Sequence, residues 1–73
     1  MYNLNMQHTL RFSCPVSTCG FISGNVYEVE ITEADPAGYF IKSKYNATAD
    51  EEVDIQIYLS SEKSVMRYFT EAE

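Results

Sequence analysis

The chain has few of the residues that metal sites and catalytic centres need. It holds one histidine, His8, and two cysteines, Cys14 and Cys19. A structural zinc site needs four ligands, and these three side chains leave one missing. The sequence also lacks a serine-hydrolase elbow, a phosphate-binding glycine loop and a zinc-protease motif. We therefore predict a protein with no cofactor, no metal and no enzymatic activity.

Basic residues are also few. Five lysines and arginines stand against eleven aspartates and glutamates, which gives a formal charge of −6. This charge repels phosphate backbones and anionic lipid, and it argues against direct binding to nucleic acid. No apolar run approaches the roughly 18 residues of a membrane-spanning helix, and residues 1–7 lack the regions of a signal peptide. We therefore expect a soluble cytoplasmic protein with no membrane partner.

The single pair of cysteines is a poor match to a disulfide framework, because such frameworks usually hold four or more in a secreted chain. Two reduced thiols in or near a loop are the simplest interpretation. A bridge that closes the short loop over residues 15–18 is one alternative. A metal site that recruits His8 is the other.

The chain is short enough for one domain, residues 1–73, with a thin core. Between Tyr27 and Leu59, almost every apolar residue falls on an odd position and most polar residues fall on even positions. Side chains of a strand alternate between its two faces, so this pattern predicts a sheet with one apolar face and one polar face. The odd set comprises Tyr27, Val29, Ile31, Tyr39, Ile41, Tyr45, Val53, Ile55, Ile57 and Leu59.

The turn signals divide the chain before residue 60. We predict a first strand over residues 8–13, a loop over 14–24 and a three-stranded meander over 25–59. Within the loop, Phe21 and Ile22 are too apolar to be left in water. We expect both side chains to fold back over one end of the core.

The C-terminal segment, residues 60–73, permits two structures. Ser60 or Ser61 can cap a helix with apolar residues at three- and four-residue spacings, and we predict this helix. A final strand over residues 64–70 is the alternative. In either structure, we expect Phe69 to help cover the open side of the sheet.

The hairpin register follows from the Asp-Pro-Ala-Gly turn. If residues 36–38 form a three-residue loop, Glu30 faces Lys44. The next strand of the meander then places Asp54 on the other side of Lys44, so the lysine lies between two carboxylates. Opposite charges across strands favour this register, since a slip of one residue would bring lysines to the apolar face.

Two aromatic residues break the alternation. Phe40 and Tyr58 fall on even positions and face each other on the predicted polar face. Aromatic side chains dominate interaction hot spots, which makes this pair a candidate partner contact. The alternative is that the sheet curls into a barrel and hides both rings.

The acidic residues form two blocks, neither of which contains a basic residue. Such a surface can occupy a basic groove that normally holds nucleic acid, because the same long-range field steers both ligands. A solvated acidic surface that aids solubility is the simpler interpretation. An exposed face without a pocket argues against catalysis by paired carboxylates. The blocks are Glu28, Glu30, Glu33 and Asp35, and then Asp50, Glu51, Glu52 and Asp54.

Residues 21–29 (FISGNVYEV) and 38–42 (GYFIK) resemble the strand-turn-strand opening of small SH3-like barrel proteins of tailed bacteriophages. The resemblance covers residues 20–60. It implies a mainly β fold, in which a small antiparallel meander curls into a partly open SH3-like barrel. It also implies an accessory protein that binds a host or phage protein. No site residues follow from it, since the matching positions belong to the scaffold.

Two functional hypotheses follow. The first is an acidic protein-binding module, encoded by a phage, that inhibits or redirects a bacterial protein through the acidic blocks and the Phe40/Tyr58 side. A nucleic-acid-processing enzyme in the host cytoplasm would suit this surface, with carboxylates as mimics of phosphates. The second is an assembly protein that forms a homodimer or adds strands at exposed edges such as residues 55–59.

Overall fold

A computed structural model describes residues 7–72. All its strands pair antiparallel in a single sheet of order β4-β3-β2-β1-β5. This order, with a short helix between the last two strands, confirms the predicted mainly β fold, a small antiparallel sheet curled into a partly open barrel whose two edges are β4 and β5. The elements are β1 (Gln7–Phe12), β2 (Val26–Glu33), β3 (Tyr39–Asn46), β4 (Glu51–Leu59), α1 (Glu62–Tyr68) and β5 (Phe69–Glu71).

The core occupies the inner face of the curled sheet. Odd positions of β2, β3 and β4 point inward, as the alternation predicts, and even positions of β1 join them. Burial of each large apolar side chain contributes about 1.5–3 kcal/mol, so these positions hold the barrel together. The buried apolar residues are Leu10, Phe12, Phe21, Tyr27, Val29, Ile31, Ile41, Ile57, Leu59, Val65 and Phe69.

The β2–β3 turn differs from the predicted one. The loop is five residues long, and Ala34 donates its N–H to the carbonyl oxygen of Gly38 at 2.9 Å. Glu30 consequently lies opposite Lys42, and its predicted pairing with Lys44 is wrong. The register is shifted by two residues, and a shift of two leaves every side chain on its own face. The alternation therefore carries no information that distinguishes the two registers.

The β3–β4 register agrees with the prediction over most of its length. Tyr39 pairs with Leu59, and Ile41 pairs with Ile57. These pairs place the apolar side chains of both strands on the inner face, where they meet the core.

The alternation of β3 ends at a bulge. The pairing of β3 with each of its neighbours is irregular here. The β2–β3 register shifts between Glu28 and Val29, and the β3–β4 register shifts between Ser43 and Tyr45. A bulge re-aims the side chains that follow it. Tyr45 lies opposite Glu28 on the polar face, so the prediction that it lies on the apolar face is wrong. Asn46 takes the inner position instead and is only 2% exposed.

The segment between β1 and β2 folds over the open side of the barrel. Phe21 is buried and stacks on Phe12 with ring centroids 5.2 Å apart, as expected for a loop that covers the core. Ile22 is 51% exposed, so the same expectation is wrong for it. Its N–H donates to the hydroxyl oxygen of Tyr27 at 2.8 Å, which anchors the backbone and leaves the side chain outside.

Both cysteines lie in this segment as free thiols. Cys14 is half-buried against the core, and Cys19 is exposed. Cys19 and Gly20 both have positive φ, which reverses the chain at the tip of a small hairpin closed by the pair Thr18 and Phe21.

The C-terminal segment forms the predicted helix and then a strand of three residues, whereas the alternative of a strand over residues 64–70 is wrong for residues 64–68. Ser61 caps α1, with its side chain accepting the N–H of Ser64, and this confirms the predicted helix. The helix ends at Tyr68, and β5 continues from Phe69 along β1. Phe69 is fully buried against Phe12, which agrees with its expected role in covering the sheet.

Candidate functional site on the polar face

The polar face is built from three rows of side chains that cross the strands. We name them by their character: an acidic row nearest the β3–β4 turn, a mixed row in the middle and an aromatic row nearest the β2–β3 loop. The acidic row is Thr9, Glu28, Tyr45 and Glu52, the mixed row is Gln7, Glu30, Lys42 and Gln56, and the aromatic row is Thr32, Phe40 and Tyr58.

Tyr45 is the centre of the acidic row. Its cross-strand neighbours are Glu28 on β2 and Glu52 on β4. Its hydroxyl donates to the carboxylate of Asp50, which lies in the β3–β4 turn. This hydrogen bond is the main reason why the pKa of the Tyr45 phenol is raised above its ordinary value of 10.0, and partial burial and the charges of Asp50 and Glu28 add to the effect.

Ser43 supports the bulge from beneath. It is fully buried, and its hydroxyl donates to the carbonyl oxygen of Glu28 at 2.8 Å. The Ser43 hydroxyl oxygen also accepts the N–H of Tyr45, with 3.3 Å between oxygen and nitrogen. Sequence analysis identified neither Ser43 nor Tyr45 as a site residue. The sequence does contain a signal for the bulge: near the end of β3, the polar residues Ser43 and Asn46 interrupt the series of apolar residues on the inner face.

The lysines of β3 divide the acidic residues of the polar face. Lys44 lies 3.3 Å from Asp54, with side chains that are 75% and 84% exposed. A pair so exposed contributes no more than about 1 kcal/mol. Because Lys42 faces Glu30, the carboxylates of β2 and β4 flank a basic strand rather than forming one continuous acidic surface.

The structure redistributes the two acidic blocks of the sequence. Glu28 joins the second block at the end of the sheet where β3 turns into β4. Glu33 and Asp35 lie at the opposite end, next to the β2–β3 loop, and Glu30 lies between the two ends. All these residues are exposed; the group at the β3–β4 end comprises Glu28, Asp50, Glu51, Glu52 and Asp54.

The aromatic row holds the predicted pair. Phe40 lies opposite Tyr58, with ring centroids 5.4 Å apart. Phe40 is half-buried and Tyr58 is 49% exposed, so curling of the sheet does not hide Tyr58. The Tyr58 hydroxyl donates to the carbonyl oxygen of Ala37 at 2.9 Å, and its ring lies over Gly38, where a Cβ would come within 2.7 Å of Cε1. This tyrosine is therefore held in place although half of it faces solvent.

Comparisons with protein-family models, with curated proteins and with solved structures returned no match for this chain. In the part of the chain that the structure describes, residues 7–72, no three His, Cys, Asp or Glu side chains are grouped so that they could hold a metal ion. No helix within the same residues is long and apolar enough to cross a membrane.

A shallow depression of about 310 Å³ lies on the polar face beside Tyr45. Glu28 and Glu30 of β2 and Lys42 and Lys44 of β3 line it. Small-molecule sites are mostly apolar and enclosed. An open depression lined by charges of both signs suits polar side chains presented by a protein surface better than it suits a small apolar ligand.

Proposed function

We propose that this chain is an acidic protein-binding module that docks its polar face on a basic surface of a partner protein. The observation that carries the proposal is the acidic row, in which the bulge turns Tyr45 outward between Glu28 and Glu52. A bulge that re-aims one aromatic side chain into a group of carboxylates is a local exception to the pattern of the sheet. Such exceptions concentrate at functional sites.

The chemistry of the acidic row suits lysine and arginine side chains. The face of a tyrosine ring attracts a cation, and carboxylates accept charge-assisted hydrogen bonds from it. The formal charge of −6 would steer a basic partner toward the module before contact. Recognition of a cationic surface therefore needs no group beyond those of the polar face.

The partner proposed is a bacterial nucleic-acid-processing enzyme, which the module would inhibit by occupying its basic groove in place of nucleic acid. The resemblance of residues 20–60 to barrel proteins of tailed bacteriophages supports a host protein as the target. Glu28, Asp50, Glu52 and Asp54 would take positions that phosphates occupy in the groove.

The test compares two neutralised variants with equal net charge. E28Q/E52Q removes the carboxylates on either side of Tyr45, and E62Q/E71Q removes two carboxylates outside the polar face. The partner is captured from bacterial lysate at low salt, identified by mass spectrometry and then titrated with each purified variant. We expect E28Q/E52Q to weaken binding about tenfold or more, since each charged hydrogen bond contributes about 1.5–3 kcal/mol.

The control and the salt dependence decide the outcome. We expect E62Q/E71Q to keep its affinity within about twofold, and the wild-type affinity to fall as salt rises. Equal losses in both variants would show that total charge, and not the polar face, governs binding. Unchanged affinity in E28Q/E52Q would refute the proposal.

A second candidate function is self-assembly through β4, and the position of β4 at the edge of the sheet favours it. An unpaired strand edge is a template for another copy of the chain. This hypothesis predicts a dimer or larger species in sedimentation equilibrium at micromolar concentration. A monomer over that whole range would contradict it.

A further inference from the structure

In the part of the chain that the structure describes, β4 (Glu51–Leu59) forms one edge of the sheet. Within residues 7–72, it pairs with β3 on one side, and the backbone hydrogen bonds outside the ladders do not involve it. At every second residue of such an edge strand, both the backbone N–H and the C=O point away from the sheet. The edge can therefore accept another extended chain.

The inner side of β4 is incompletely covered near this edge. Ile57 and Leu59, at the C-terminal end of the strand, are buried, whereas Val53 and Ile55 are only partly buried. The backbone of Gly20 contacts Ile55 from the loop between β1 and β2. An added strand with apolar side chains on its inward positions would cover the remaining surface of Val53 and Ile55.

The outer side of the same half of β4 is acidic. Glu52 and Asp54 point to the polar face, Glu51 precedes them, and β4 contains no basic residue. The Asp54 side chain remains 84% exposed although Lys44 lies beside it. A second copy of β4 would bring the same negative charges to this edge, whereas a strand with lysine or arginine on its outward positions would be complementary.

We propose that β4 binds an extended segment of the partner as an added strand, in which lysine or arginine alternates with aliphatic residues. The basic side chains face Glu52 and Asp54, and the aliphatic side chains cover Val53 and Ile55. Backbone hydrogen bonds to the edge supply affinity, and the alternation supplies specificity. This inference rests on the proposed function, because it names the part of the partner that the acidic end of the polar face recognises.

The test uses a synthetic nine-residue peptide that alternates lysine with valine, capped at both ends. A peptide of the same composition, with its lysines and valines in two separate blocks, is the control. Backbone amide NMR spectra and amide hydrogen exchange of the full chain report where each peptide binds. We expect slower exchange at alternate amides of β4 with the alternating peptide and no such protection with the block peptide.

Two N-methylated versions of the alternating peptide test the backbone hydrogen bonds. One carries N-methyl groups on its odd residues and the other on its even residues. Only one set of amides of an added strand faces β4. We therefore expect one version to lose binding at least tenfold and the other to retain it. Equal behaviour of the two versions would overturn the proposal.

Charge variants test the outer side of the edge. We expect E52Q/D54N to weaken binding of the alternating peptide about tenfold, and E62Q/E71Q to leave it within about twofold. Shifts centred on Tyr45 and Lys44 without protection of β4 would overturn the edge proposal and leave the proposed function standing. Concentration-dependent protection of β4 without peptide would show that a second copy occupies the edge, and this too would overturn it.

Discussion

Gly20 lies directly against Ile55, so that a Cβ at residue 20 would come within 2.6 Å of the Cγ2 atom of Ile55. Gly20 also has a φ of +91°, a backbone conformation that residues with a side chain rarely adopt. The loop between β1 and β2 can therefore rest on β4 only because residue 20 has no side chain. This contact joins two elements that are far apart in sequence and closes part of the open side of the barrel.

We expect G20A to lower the free energy of unfolding by about 2–4 kcal/mol. Positive φ costs about 1 kcal/mol for alanine, and overpacking against Ile55 adds about 1–3 kcal/mol. G24A is the matched control, because φ is +87° there and a Cβ meets no atom within 4 Å. Urea denaturation measures both variants. Equal losses would show that the contact with Ile55 contributes nothing.

The helix cap gives a second prediction. The side chain of Ser61 accepts the N–H of Ser64 at 3.2 Å. We expect S61A to lower the free energy of unfolding by about 1 kcal/mol, because an N–H of the first turn loses its partner. S60A, which alters the neighbouring exposed serine, should change it by less than about 0.5 kcal/mol. Thermal unfolding measures both variants. A larger effect from S60A than from S61A would show that Ser61 is not the capping residue.

The bulge depends on a buried hydroxyl, and this gives a third prediction. We expect S43A to destabilise the fold by about 1–3 kcal/mol, because the carbonyl oxygen of Glu28 and the N–H of Tyr45 lose a buried partner. The ring resonances of Tyr45 should shift in the same variant, since the bulge sets its orientation. A variant with unchanged stability and unchanged Tyr45 resonances would show that the hydroxyl does not hold the bulge.

The phenol of Tyr45 gives a pH-dependent prediction. We expect D50N to lower the pKa of Tyr45 toward 10.0, because the charged hydrogen-bond acceptor that raises it is removed. The Cζ chemical shift of Tyr45, followed by NMR against pH, measures this change. A Tyr45 titration that is identical in D50N and wild type would contradict the assigned cause.

The same shift has a consequence for stability. The folded chain keeps the Tyr45 proton at pH values above 10.0, where the unfolded chain has released it. The unfolded state then binds fewer protons, so stability falls as pH rises from 10.0 through the folded-state pKa. Below pH 10 this contribution is fully present. Denaturation of wild type and Y45F across this range should show a steeper decline in wild type.

Local patterns predicted the elements and faces of the sheet. The odd positions of β2 and β4 identify part of the core, because the period of a strand needs no tertiary information. The opposed pair Phe40 and Tyr58 also follows from the alternation and the register of one hairpin. A helix cap at Ser60 or Ser61 follows from polar residues that precede a helical pattern, and the structure assigns it to Ser61.

The same patterns could not reveal which residues of neighbouring strands pair with each other, nor where a bulge interrupts that pairing. The register of β2 on β3 is shifted by two residues, which changes the partner of Glu30 and leaves its face unchanged. The bulge moves Tyr45 outward and Asn46 inward, although both lie in a strand that otherwise alternates. The register shift leaves composition and periodicity unchanged, and the polar pair Ser43 and Asn46 is the one sequence signal near the bulge.

The sequence by itself determined the fold class, the inner and outer faces and the acidic charge, because these depend on side-chain chemistry and on a period of two along each strand. Only the tertiary structure decided how the carboxylates are grouped and which edge is free. Those features depend on the length of the β2–β3 loop, the bulge at Tyr45 and the contact of Gly20 with Ile55. The bulge and the Gly20 contact bring together residues distant in sequence, and the loop length is fixed together with the pairing of β2 and β3, so packing and backbone hydrogen bonds outweigh local preference.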